Sequence, residues 1–340
     1  MLNLLGKIYG VGSDLRNKFY DRGIFKTHSL GAKTISIGNI TTGGTGKTPL
    51  VAYVAEILAD AGEKVCILTR GYGRASSGQV LVSDGEQVLV DANTGGDEPV
   101  ELARNLIGKA IVVADADRVA AAAWAKEKFG VTAFVLDDGF QHRRARRDLD
   151  IVCIDATNPF GGGRVLPAGS LREHLESLSR AHAIVLTRCE LTDDLREVTS
   201  KIKTLNAETE VFRSSSVTYR LAELAKFLGV EKDDEPPLSQ QSSALVFCGL
   251  GNPDTFYRSA RRAGYNLAAT ETFRDHYFYT QADIDTLHRT ARAQKIEMLL
   301  TTAKDAVKLS GLNFSIPCFV MEIQIEIDEA DAFRRLVISS

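Results

Sequence analysis

Residues 33–62, KTISIGNITTGGTGKTPLVAYVAEILADAG, limit the possible folds of this chain more than any other stretch. Thr34, Ile35 and Ile37 form an apolar, β-branched run that predicts a short buried strand. A glycine-rich turn follows (Thr41, Thr42, Gly43, Gly44, Thr45, Gly46), then Lys47-Thr48-Pro49. Leu50, Val54, Ile57, Leu58 and Ala61 recur at helical spacing, Gly62 stands where a helix stops, and Pro49 suits the first helical turn. Strand, turn and helix together predict a phosphate cradle. Loop amides converge on phosphate oxygens, Lys47 reaches the β- and γ-phosphates, and the Thr48 hydroxyl holds Mg²⁺. The strict pattern opens on glycine where this chain has Thr41, so Gly43, Gly44 and Gly46 must supply the flexibility.

A second element corroborates the first. Val131–Leu136 is almost wholly apolar and runs into Asp137-Asp138-Gly139-Phe140-Gln141-His142. A buried strand that delivers carboxylates at its carboxyl end is the usual magnesium-side partner of a phosphate loop. Two adjacent carboxylates also repel unless a cation lies near them.

Between these elements, Val65–Leu68 reads as a strand ending in Arg70-Gly71-Tyr72-Gly73-Arg74. Two arginines and an aromatic on a glycine-hinged loop suit an anionic or sugar ligand at the sheet edge where α/β proteins bind ligands. Residues 79–90 alternate around a Ser-Asp-Gly-Glu turn and predict a hairpin. In Gly95-Gly96-Asp97-Glu98-Pro99 two readings stand: Asp97 or Glu98 caps a helix, or Asp97 approaches a substrate hydroxyl. The block Arg143-Arg144-Ala145-Arg146-Arg147 reads as a solvated loop or an anion clamp. With a net charge of −3, one such patch argues against nucleic acid as a partner.

Buried strands alternating with helices from 33 to 212 predict an α/β, P-loop NTPase-like fold. Its sheet is mostly parallel, with helices on both faces. A chain of 340 residues accommodates a second domain. We divide it into an amphipathic segment 1–32, a kinase-like domain 33–212, a linker region 213–243 and a smaller α/β domain 244–340. The Pro- and Ser-rich run 231–243 is the strongest linker signal, and the last unit repeats strand, glycine turn (Gly249-Leu250-Gly251) and helix. His276, flanked by Asp275 and Tyr277, reads on its own as a satisfied structural imidazole. Five cysteines without Cys-x-x-Cys spacing argue for reduced, buried thiols and against a zinc site.

Residues 1–26 interleave Leu2, Leu4, Leu5, Ile8, Val11 and Leu15 with Lys7, Arg16, Lys18, Arg22 and Lys26. Two readings stand here as well: a helix lying on an anionic membrane surface, or one packed on the protein's own core. Lys7 interrupts the apolar run, which argues against a signal peptide.

The strings GNITTGGTGKTP, TRGYGR, GGDEP, LDDGFQHRRARRDLDIV, LPAGSLRE, GLGNPDTF, DHY and TTAKDAVK stand in this order along nearly the whole chain. In this the chain resembles the tetraacyldisaccharide 4′-kinases, which phosphorylate the lipid A precursor, and the Thr41 departure is part of the resemblance. The resemblance implies ATP and Mg²⁺ at Lys47 and Thr48, with Asp137 and Asp138 as metal-side carboxylates. It implies Asp97 as the base toward the sugar hydroxyl, with His276 paired to it. Two lobes joined by a linker would bring that pair together only when the site closes, which excludes water. Arg172 and Glu173 are implied near phosphates and metal, Glu173 with the metal set. Toward the lipid disaccharide substrate we group Arg70, Tyr72, Arg74, Gln141, His142 and Arg172. The family continues that last segment as LREP, whereas this chain has His174. The resemblance also implies attachment of the N-terminal segment to the cytoplasmic face of the inner membrane. The competing reading is a P-loop GTPase or metallochaperone-like switch, since Thr187-Arg188-Cys189-Glu190 is similar to a guanine-reading motif. Gln141, where such a switch has glycine, argues against it.

Overall fold

The computed structural model describes residues 2–229 and 242–340. Helix α1 (Leu2–Asp21) precedes the central unit, β1 (Lys33–Asn39) and α2 (Lys47–Asp60). There follow β2 (Val65–Thr69), β3 (Val80–Ser83), α3 (Ala92–Gly95), α4 (Asp97–Asn105), β4 (Ala110–Ala114) and α5 (Arg118–Phe129). Next come β5 (Ala133–Asp137), β6 (Leu149–Asp155), β7 (Ala183–Thr187), α6 (Arg196–Leu205), β8 (Glu210–Glu223) and α7 (Leu224–Phe227). The last part holds β9 (Ser243–Cys248), α8 (Pro253–Arg262), β10 (Asn266–Thr272), α9 (Gln281–Ala293), β11 (Met298–Thr302), α10 (Ala303–Ala306), β12 (Cys318–Ile327) and α11 (Ala330–Ser339).

Among the described residues these strands form one sheet in the order β10-β9-β11-β12-β8-β7-β6-β1-β5-β2-β4-β3. Strands β8, β7, β6, β1, β5, β2 and β4 run parallel, as the near-continuous apolar runs predict. The strands β10, β9, β11 and β12 are parallel among themselves. The seam is β8, whose start pairs parallel with β7 and whose remainder pairs antiparallel with β12. Residues 213–223, expected at the start of a linker, therefore lie in a strand. Their ladder with β12 satisfies the backbone, and the stretch lacks the Pro and Gly that end strands. Most of the linker signal, 230–241, lies outside the described residues. The hairpin expected over 79–90 reduces to β3, which pairs antiparallel with β4, and a single bridge between Ser83 and Val88.

Both halves of the sheet present their strand carboxyl ends to a common cavity of about 1900 Å³. β1, β5, β2 and β4 deliver the phosphate loop, Asp137, Arg70 and Arg118 from one side. β9 and β11 deliver Gly251 and Lys304 from the other. β1 lies between β5 and β6, so the chain reverses its direction of sheet growth at the phosphate loop, where open α/β sheets hold ligands.

Candidate active site

The phosphate loop is braced from behind. The Asn39 amide donates to the Thr41 carbonyl at 2.7 Å and to Thr45 Oγ1 at 3.0 Å. The Thr187 hydroxyl donates to the Thr45 carbonyl at 2.8 Å, and Arg188 donates to the Gly44 carbonyl at 2.7 Å while pairing with Asp155. Gly46 has φ 78° and lies so near Thr187 that an added Cβ would come within 3.3 Å of it. Helix α2 then starts with no side-chain cap, so its first amides are left for an anion. Residues 42–48 line the cavity, whereas Thr41 is buried and bridges Leu171. The TRCE segment is thus placed as a buttress to the loop.

Asp137 is 4% exposed at the end of β5 and accepts from Thr69 Oγ1 at 2.9 Å. Burial, then the neighbouring Glu98 and Asp138 carboxylates, pushes its carboxyl up to about 6. Asp138 sits at φ 53°, a strained backbone for aspartate, and so turns toward Lys47 (3.6 Å) and Arg172 (2.6 Å). Burial raises Asp138, but those two cations outweigh it and hold the carboxyl below the ordinary carboxylate value. A buried acid with a raised pKa beside a second acid is the donor set that a divalent cation relieves. With the Thr48 hydroxyl on the same cavity wall, the residues fit Mg²⁺. Glu173, expected with them, lines the same cavity and is 1% exposed. Its Oε2 accepts from Arg180 (2.8 Å) and from Asn17 of α1 (2.9 Å), while its Oε1 is buried without a hydrogen-bond partner among the described residues. Among the described residues no group of three or more His, Cys, Asp or Glu converges on a metal position. His174, in place of the family's proline, lies against Gly10 of α1 and 3.8 Å from Asp14, so this segment is fastened to α1.

Asp97 and His276 come from opposite halves of the sheet and meet. His276 Nδ1 stands 2.9 Å and 3.1 Å from the two Asp97 oxygens, and His276 itself adopts φ 56°. Gly96, not Asp97, takes the cap position of α4, and Asp97 is 4% exposed. Burial raises Asp97, but the His276 hydrogen bond and the charges of Lys304 and Lys308 reverse this and hold its carboxyl at about 2. The same hydrogen bond raises His276 against the opposing effects of burial and Lys304. Lys304 also reaches Glu98 and Asp275, each at 3.2 Å. Lys308, its side chain wholly buried, lies between Asp97 (3.4 Å) and Asp305 (3.1 Å).

Other expected residues divide. Arg70, Tyr72, Gln141, His142 and Arg172 line the cavity, and Tyr72 packs on the His276 ring at 5.2 Å. Arg74 instead fastens its own loop, donating to the Ala114 and Gly78 carbonyls. His142 is pushed down to about 4 by burial and by Arg118 and Arg147. The basic block is neither a free clamp nor a bare solvated loop. Arg143 holds Asp21 and the Asn17 carbonyl of α1, Arg144 holds Asp117, and Arg147 caps the Gly139 and His142 carbonyls. Sequence reasoning assigned no role to Arg118, Lys304 or Lys308. Only the TTAKDAVK string signalled the lysines.

A family model described as LpxK, tetraacyldisaccharide-1-P 4′-kinase, matches residues 1–340. The chain is 37% identical over 342 residues to the tetraacyldisaccharide 4′-kinase of Halothermothrix orenii, covering 96% of this chain and 88% of that one. It is 39% identical over 310 residues to the protein of that name from Geobacter metallireducens, covering 91% and 88%. Among solved structures it is similar to LpxK from Aquifex aeolicus, described as in complex with ATP. The TM-score is 0.76 at 30% identity, covering 98% of this chain and 96% of that one.

Proposed function

The chain belongs to the tetraacyldisaccharide-1-P 4′-kinase family, and from that premise we propose how its residues carry the reaction. It is an ATP-dependent kinase that transfers the γ-phosphoryl group to the 4′-hydroxyl of a tetraacyldisaccharide 1-phosphate in lipid A biosynthesis. Membership in a kinase family excludes the GTPase-switch reading. The observation that carries the residue roles is a meeting: His276, which holds Asp97 across the two halves of the sheet, lines the same cavity as Lys47, Asp137 and Asp138.

Phosphoryl transfer is loose, so positioning and charge neutralisation do most of the catalysis. Mg²⁺, when bound, supplies neutralising charge on the phosphates, and Thr48 and Asp137, with Asp138, are the residues that would hold it. Lys47 neutralises the β- and γ-phosphates, and the uncapped α2 amides receive phosphate oxygens. Asp97 orients the 4′-hydroxyl and takes its proton late. A carboxyl held at about 2 is too weak a base to remove that proton early. His276 fixes the carboxylate's direction and shares its charge. Arg70, Tyr72, Gln141 and His142 serve the disaccharide side, and the 244–340 unit closes the cleft. The direct test is incubation with γ-labelled ATP and the disaccharide 1-phosphate. Label in the lipid supports the reading, and label released only as free phosphate overturns it.

We assign α1 to the membrane surface. No helix among the described residues is long and apolar enough to cross a membrane. α1 packs on the protein through Gly6, Gly10 and Asn17, and its apolar side faces outward, with Ile8 61% and Val11 67% exposed. Leu4, Ile8, Val11 and Leu15 recur on one face, with Lys7 and Lys18 close by. Tyr9, Gly12, Ser13 and Arg16 of the same helix line the cavity, so a lipid held at this surface enters beside the site. We predict that replacing Leu4, Ile8 and Val11 together with Glu lowers co-sedimentation with anionic vesicles by about tenfold or more. Turnover of a deacylated, water-soluble acceptor should persist. Unchanged vesicle binding would remove this assignment.

A further inference from the structure

Arg118 opens α5 after β4 and is 5% exposed, yet it lines the active cavity. Its one side-chain hydrogen bond among the described residues is a long contact from Nη1 to the Ala116 carbonyl at 3.4 Å. Nε is buried without a hydrogen-bond partner, and Arg118 makes no ion pair among the described residues. The carboxylates it faces are Asp137, Asp138 and Asp115. The first is held by Thr69, the second by Lys47 and Arg172, and Asp115 accepts from the Asp117 amide. A buried guanidinium with open donors is costly unless something anionic completes it. Arg70 lines the same cavity as a second cation.

We propose that Arg118 binds a phosphoryl oxygen during turnover, as a further substrate-binding residue of this site. The inference rests on the kinase reading, which supplies two sources of that oxygen: the phosphoryl group in transfer and the acceptor's own 1-phosphate. Arginine suits either, because its planar fork presents parallel donors to two oxygens of one group.

The test compares the full-length wild type with Arg118→Met and Arg118→Lys, on acceptors with and without the 1-phosphate, alongside thermal melts. We expect Arg118→Met to lose about 10–100-fold in kcat/KM, and Arg118→Lys to recover part of it. An equal loss in kcat on both acceptors identifies the transferred group. A rise in KM confined to the phosphorylated acceptor identifies its 1-phosphate. A loss below about twofold on both acceptors, or one that only follows the folded fraction, overturns the proposal. Should Arg118→Met not fold, Arg118→Lys decides, since a purely structural cation tolerates the swap and a two-pronged phosphate contact does not. Wild-type protein that phosphorylates neither acceptor would instead overturn the kinase reading.

Discussion

Asp97→Asn is expected to lower kcat by roughly 10²–10⁴-fold while leaving ATP affinity within about twofold. The substitution keeps the shape and removes both the proton acceptor and the negative charge. Asp97 receives His276 Nδ1 at 2.9 Å and faces Lys308 at 3.4 Å, so its charge is what both partners are arranged around. The phosphate loop is braced separately, by Asn39, Thr187 and Arg188, and none of these touches Asp97. Nucleotide binding should therefore survive. His276→Asn should cost less, about 10–10²-fold, because Asp97 retains Lys304 and Lys308. The double variant should fall short of the product of the single losses, since the two side chains act as one unit. Fully multiplicative losses would show that the two residues work independently and would end the assignment of a shared role. Fluorescent-nucleotide titration and steady-state kinetics on the same preparations check both halves of the prediction.

Most of the parallel sheet and the phosphate loop are legible in the sequence, for a local reason. A strand buried on both faces must be apolar along its length, and a phosphate loop must place glycine and lysine within a few residues. Both signals survive without knowledge of the partner strands. The Asp97–His276 contact is a different kind of fact. It spans 179 positions and is made by the sheet seam at β8, which nothing in either local segment announces. Taken alone, His276 has the surroundings of an ordinary structural imidazole. Only the resemblance joined the two residues. Glu173 is a mixed case: the LRE string suggests a metal ligand, and in the fold one oxygen holds Arg180 and Asn17 while the other is left without a hydrogen-bond partner among the described residues. The basic block misleads because Arg143, Arg144 and Arg147, close in sequence, diverge in space and hold different carbonyls or carboxylates. Arg118 carries no sequence signal at all: an arginine at the start of an alanine-rich helix is unremarkable until the cavity behind it is seen.

Lys308→Met is expected to destabilise the protein by about 3–5 kcal/mol, more than removal of any exposed charge in the chain. The lysine's side chain is wholly buried between two buried carboxylates, Asp97 and Asp305. Methionine fills similar volume, so packing is largely kept and the loss reports the uncompensated charge. Asp305 is the better protected of the two, since it also accepts from the Gly249 amide and from the Tyr279 and Thr302 hydroxyls. Asp97 has fewer alternatives, and its pH signature identifies the source. In the native protein its carboxyl is held at about 2, below the ordinary value near 3.8. A depressed acid stabilises the fold above its unfolded pKa, by about 2 kcal/mol here, and that stability drains away as pH falls from about 4 toward 2. Without Lys308 the folded-state pKa rises, the gap between folded and unfolded values narrows, and the acid-dependent loss shrinks. Urea titrations of both proteins from neutral pH down to about pH 3 should show the two stability curves converging as acid is added. Parallel curves separated by a constant amount would mean that methionine disturbs packing rather than charge. Asp97 would then owe its low pKa to His276 and Lys304 alone.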